Sequence, residues 1–125
     1  MNKQQQLEDI IGHLQLQNQQ LQMIVLQKQT ITMHNKEIEK ALEEIEKTTG
    51  DVYKSVGPIL VKTERSSLKK DLEEAKEENE LNISSLNKQE AKIREKMNEN
   101  QQKFQELVPS AHEHFHDQEE KVMGS

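Results

Sequence analysis

Three histidines stand at alternate positions near the end of the sequence, His112, His114 and His116, with Glu113 and Asp117 beside them. Imidazole and carboxylate are metal ligands. Alternate spacing does not bring three residues onto one helical face, so a site would need an extended tail; a flexible, solvated tail is the simpler reading. No other residues suggest chemistry. There is no Gly-rich phosphate loop of the GxxxxGK[ST] kind, so no nucleotide site is expected. Cysteine is absent, which removes disulfides, Cys-based metal sites and thiol nucleophiles. Many Glu and Lys are present, but long helices offer no concave, water-excluding pocket for acid–base work. The expectation is a non-enzyme with no catalytic residue, cofactor or metal.

Composition narrows what scaffold these residues can stand on. The chain of 125 residues has 31% hydrophobic, 32% charged and 2% aromatic residues. That is too little apolar volume for an ordinary globular core, which leaves disorder or long helices with a narrow apolar seam. Net charge is −6 and no basic stripe is present, which argues against nucleic acid as partner. No apolar run approaches the roughly 18 residues of a membrane span, and the first residues lack the apolar stretch of a signal peptide. A soluble, cytoplasmic chain with no membrane partner is expected.

Periodicity favours the helices. Residues from about 5 to 49 hold no Pro and only Gly12; residues from about 66 to 108 hold neither. The first stretch keeps a heptad with Leu7, Leu14, Leu21, Lys28, Asn35 and Leu42 at a, and Ile10, Gln17, Ile24, Ile31, Ile38 and Ile45 at d. The second keeps Lys76, Ile83, Glu90, Met97 and Phe104 at a, and Leu72, Asn79, Leu86, Ile93, Asn100 and Leu107 at d. Such repeats specify a coiled coil. Toward the middle of the chain Leu68 and Ala75 replace Lys69 and Lys76 as the apolar choices, a local stutter.

An antiparallel pairing aligns both seams. With Leu7 opposite Leu107, Ile10 meets Phe104, Leu21 meets Ile93, Ile31 meets Ile83 and Leu42 meets Leu72, all symmetric about Gly57. Gly57 and Pro58 are themselves turn residues, so two independent signals agree on a fold-back there. The same register puts Asn35 opposite Asn79, a polar pair able to fix register, and sets Lys28 one layer from Glu90. The alternative is that these are ordinary polar defects in a wet seam.

Between the helices, Val52–Val56 and Ile59–Thr63 read as two strands joined by Gly57-Pro58. Gly50 reads as the residue ending the first helix, and Thr63 or Ser66 as the cap of the second. A lone hairpin is marginal in water and leaves two unpaired edges beside Val52, Tyr53, Val56, Ile59, Leu60 and Val61. The rest of the chain is helical, so pairing between chains is the simplest resolution. The expected fold is mainly α: a long antiparallel two-helix coiled coil joined by one β-hairpin, with hairpins assembling into an intersubunit β-barrel. One domain, residues 1–108, is followed by a flexible tail, residues 109–125. The helices are expected over about 5–49 and 66–108, and the hairpin over about 51–63.

The segment Val52-Tyr-Lys-Ser-Val-Gly-Pro-Ile-Leu-Val-Lys-Thr63 between two heptad helices of equal length resembles the beta class of the prefoldin family. Gln27-Lys-Gln29 and Lys40-Ala-Leu-Glu-Glu44 resemble it too, and the likeness covers about residues 5 to 108. The resemblance implies an ATP-independent chaperone: two alpha and four beta subunits, a double β-barrel platform built from hairpins, and coiled-coil tips that hold unfolded proteins and pass them to a group II chaperonin.

On this chain the tip residues are Leu7, Ile10, Ile11, Leu14, Phe104, Leu107 and Val108. Coiled-coil ends open first, and opening would present a small apolar patch. A second candidate surface is Met23-Ile-Val-Leu26, where Met23 and Leu26 fall at c and f, away from the partner helix. The competing reading is a structural coiled-coil scaffold or tether without client binding.

Overall fold

The computed structural model describes residues 2–108; the His112–His116 run lies outside them. The element order is α1 (Lys3–Lys47), β1 (Val52–Val56), β2 (Ile59–Thr63) and α2 (Arg65–Leu107).

α1 opens on a reciprocal cap. The Gln5 N–H donates to Asn2 Oδ1 at 2.8 Å, and the Asn2 N–H donates to Gln5 Oε1 at 3.3 Å. Two of the unpaired donors of the first turn are thereby satisfied. The Asn-x-x-Gln spacing was the available signal for this start. α1 ends on Thr48, whose N–H and Oγ1 both donate to the Glu44 carbonyl, at 2.9 and 2.7 Å. Gly50 reads in the sequence as the residue ending the helix, a place where glycine commonly takes a positive φ. Its φ is not positive, and Thr48 terminates the hydrogen bonding instead. At α2, neither Thr63 nor Ser66 holds the cap position. Thr63 ends β2, Ser66 lies inside the helix, and Glu64 stands between, its carbonyl accepting the Leu68 N–H at 3.0 Å.

Burial follows the heptad along both helices. In α1 the least exposed apolar side chains are Ile10, Leu21, Ile24, Ile38 and Ile45. α2 has no fully buried residue; its half-buried positions run through Leu72, Asn79, Ile83, Leu86, Ile93, Met97 and Phe104. Steps of three and four keep one stripe turned inward while the remaining positions stay wet. Leu68 and Ala75 are half-buried and Lys69 is exposed, which is the shift expected near the hairpin; Lys76 stays half-buried.

The described residues form two compact units. One joins the residues up to Ile24 with those from Gln89 onward, and in it Asn100 Nδ2 donates to Gln17 Oε1 at 3.3 Å. The other is Val25–Lys88 and contains the hairpin. Its central layer is polar: Asn35 is buried at 8% exposure, and Asn79 Nδ2 donates to Asn35 Oδ1 at 2.8 Å. The same amide lies 3.2 Å from His34 Nδ1. Buried amides cost stability unless paired, and here each pairs with the other. Lys28 Nζ donates to Asn87 Oδ1 at 3.0 Å, and Lys76 pairs with Glu39 at 3.4 Å. Glu90, in the first unit, pairs with Arg94 one helical turn on.

β1 and β2 pair antiparallel, from Val52 opposite Thr63 to Val56 opposite Ile59. This ladder is symmetric about the Gly57–Pro58 peptide bond, half a residue beyond the fold-back point that the heptads give. Gly57 sits at φ +58°, which glycine adopts without penalty, and proline follows it with its φ already fixed. This order of residues is that of a two-residue type II′ turn, whose twist matches paired strands.

The polar layer yields a direct test. Cysteines introduced as Asn35→Cys and Asn79→Cys should oxidise within one chain; more efficient crosslinking of position 35 to Leu86→Cys would show a different register. Asn35→Ala should cost about 1 kcal/mol by removing the seam partner of the Asn79 amide, which keeps its contact with His34. The double change Asn35→Leu with Asn79→Leu should instead raise the thermal midpoint, while Cys probes report mixed registers.

Candidate interaction surfaces

The hairpin exposes apolar side chains on both faces. Residues directly opposite in the ladder share a face, so Val52, Lys54, Val56, Ile59, Val61 and Thr63 lie on one side, and Tyr53, Ser55, Leu60 and Lys62 on the other. Val56, Ile59 and Val61 are 50%, 58% and 44% exposed on the first face; Tyr53 and Leu60 are 54% and 72% exposed on the second. Only Val52 and Thr63, at the root, are half-buried. Among the described residues no third strand joins this sheet, so both outer edges carry unpaired backbone groups. A two-stranded ribbon greasy on both sides has the chemistry of an incomplete sheet.

Charged groups gather where the hairpin meets the helices. Lys69 Nζ donates to Glu46 Oε1 at 2.6 Å, and Lys62 pairs with Asp51 at 3.5 Å. Arg65 Nη2 donates to the Gly50 carbonyl at 2.8 Å. The hydrogen bond and charge of Lys69 hold the Glu46 carboxyl below its ordinary value, and Glu46 raises Lys69 in return. Both groups are exposed, so the pair adds little to stability. A cleft of about 720 Å³ lies among these residues, with Ile45 and Val52 on its walls.

The unit at the free helix ends carries the second candidate surface. Ile10 is buried, Leu7, Leu14, Phe104, Leu107 and Val108 are half-buried, and Ile11 is 42% exposed. Ile10 and Leu107 line a groove of about 400 Å³ together with Gln6, Asp9, His13, Asn100, Lys103 and Glu106. Most of the proposed tip residues therefore turn toward the seam, and Ile11 faces solvent. Gly12 sits in the α1 interior, where it weakens a helix by about 1 kcal/mol relative to alanine.

Along α1, Met23 and Leu26 are about 60% exposed, while Ile24 is buried and Val25 half-buried. Leu16 and Met33 are exposed on α1 as well, and Leu81 on α2. Each of these three holds an outer heptad position, where a polar residue is the norm, and the heptad pattern alone does not mark them. Among the described residues no group of three or more His, Asp or Glu is arranged to hold a metal ion. No helix among them is long and apolar enough to cross a membrane.

The family model for prefoldin subunits matches residues 4–111. The chain is also similar to the crystal structure of the prefoldin beta subunit from Thermococcus strain KS-1. That likeness has 36% identity and a TM-score of 0.75, and spans 82% of this chain and 92% of the other. No curated protein matches the chain. Two long helices around a single two-stranded hairpin are thus the prefoldin beta fold, and with a family match over most of its length this chain belongs to the prefoldin subunit family.

Proposed function

We propose that this chain is a beta-type subunit of an ATP-independent holding chaperone. The observation that carries the reading is the hairpin, apolar and exposed on both faces with both edges open, in a chain of the prefoldin family. Burial of Val56, Ile59, Val61, Tyr53 and Leu60 between neighbouring subunits would remove that surface from water. Backbone pairing along the edges would fix strand order. Assembly with alpha-type and other beta-type prefoldin subunits follows, two alpha and four beta, their hairpins closing into a double barrel.

Client holding is placed at the free helix ends. Ile11 is already exposed there, Gly12 weakens the turn that follows, and the groove beside Ile10 and Leu107 has an apolar wall. Fraying of the last turns would release Leu7, Leu14, Phe104 and Val108 to contact an unfolded chain. Held clients would then pass to a group II chaperonin. No step requires nucleotide. A scaffold or tether would assemble in the same way but would not protect an unfolded protein.

Assembly and holding should separate by mutation. Val61→Asp, or deletion of residues 56–59, should give smaller species with helix content retained; an intact complex by mass with either change would rule out the hairpin as the assembly element. Removal of the residues up to Leu14 and from Asn100 onward should leave the stoichiometry unchanged and abolish most suppression of aggregation of a denatured protein. Phe104→Ser with Leu107→Ser should lose less, and removal of the residues after Pro109 less still. Full protection by the doubly truncated complex would move the client surface elsewhere, with Met23 and Leu26 the next candidates.

A further inference from the structure

The two connections to the hairpin are unequal. Glu64 alone separates β2 from α2, whereas four residues, Thr48–Asp51, separate α1 from β1. A single-residue link leaves little freedom; a four-residue link containing glycine leaves much more. Nothing in the conformation of Gly50 demands glycine. Its φ is not positive, and a Cβ there would meet nothing within 4 Å. The body of the hairpin does not restrain the link either, because every strand residue other than Val52 and Thr63 is exposed.

One side chain crosses from the short connection to the long one. Arg65 is the first residue of α2 and is half-buried, and its Nη2 donates to the Gly50 carbonyl at 2.8 Å. A charge-assisted bond from a planar guanidinium fixes direction as well as distance. Its neighbours contribute differently. Lys62–Asp51 joins two exposed side chains at 3.5 Å, and Lys69–Glu46 ties α2 to the last turn of α1 without touching the link.

We infer that Arg65 is a positioning residue for assembly: by holding the Gly50 carbonyl it sets the direction in which the hairpin leaves the helices, and so preorganises the hairpin for its neighbours. The inference rests on the proposal that the hairpin is the assembly element. A looser link would leave the monomer folded but would make each subunit lose more freedom on joining a complex.

The 125-residue chain, mixed with an alpha-type prefoldin subunit, provides the test. Arg65→Ala should raise the concentration needed for half-assembly about tenfold, with helix content and thermal midpoint of the isolated chain unchanged. Arg65→Lys, which keeps the charge without the fork, should lose less. Lys69→Ala, a cation of the same cleft, should assemble normally. In Arg65→Ala the amides of Asp51 and Val52 should exchange faster, while those of Lys54 and Val61 should not. Gly50→Ala added to Arg65→Ala should recover about two- to fivefold of the lost assembly by stiffening the link. Normal assembly of Arg65→Ala overturns the inference, as does melting of its helices. If Val61→Asp also assembles normally, the hairpin reading has failed and Arg65 loses its assembly role with it; faster exchange at Asp51 would then show only that the tie exists.

Discussion

Packing along a narrow seam is the interaction on which this chain depends. Among the described residues five apolar side chains are close to fully buried, all of them on α1, and α2 contributes half-buried residues alone. A stripe of this width folds the helices against each other and has nothing left to cover other surfaces. Seam positions are also given to Lys28, Asn35, Asn79, Glu90 and Asn100, so the interface is partly polar by sequence. The Asn35–Asn79 bond pairs two of these amides within the seam, and slippage would separate them.

From that shortage of apolar area comes the character of the hairpin. In a globular protein the Val56, Ile59 and Val61 face would lie on a core. Here no layer covers it among the described residues, and the opposite face holds Tyr53 and Leu60 in the same condition. On the reading proposed above, assembly would bury this hydrophobic surface, which the chain leaves exposed. The charged residues at the root, Asp51, Lys62, Arg65 and Lys69, keep the junction itself polar, and the exposed apolar ribbon begins beyond it.

Much of this was legible in the residues. Heptad spacing gave both helices and their orientation, and Gly57-Pro58 gave the turn; the likeness to prefoldin rested on those same residues and is matched by family and fold. What escaped were details decided by local hydrogen-bond competition. Gly50 looked like a helix stop, but Thr48 bonds the Glu44 carbonyl first, with both its donors. Thr63 and Ser66 looked like caps, yet strand pairing claims Thr63 and the helix has begun before Ser66. Asn2 went unread because polar residues at a chain start carry no hydrophobic period to frame them. Exposure was the other weak point. Periodicity says which residues face the partner helix; it does not say whether an apolar residue on the outer side, such as Met33 or Leu81, has anything to cover it.

We propose that this chain is completed by other prefoldin subunits through its hairpin. Native mass measurement of the chain mixed with an alpha-type prefoldin subunit tests that claim most directly. A complex of two alpha-type subunits and four copies of this chain is the expected result. A chain that stays monomeric at every concentration, or forms only a one-to-one pair, would contradict it.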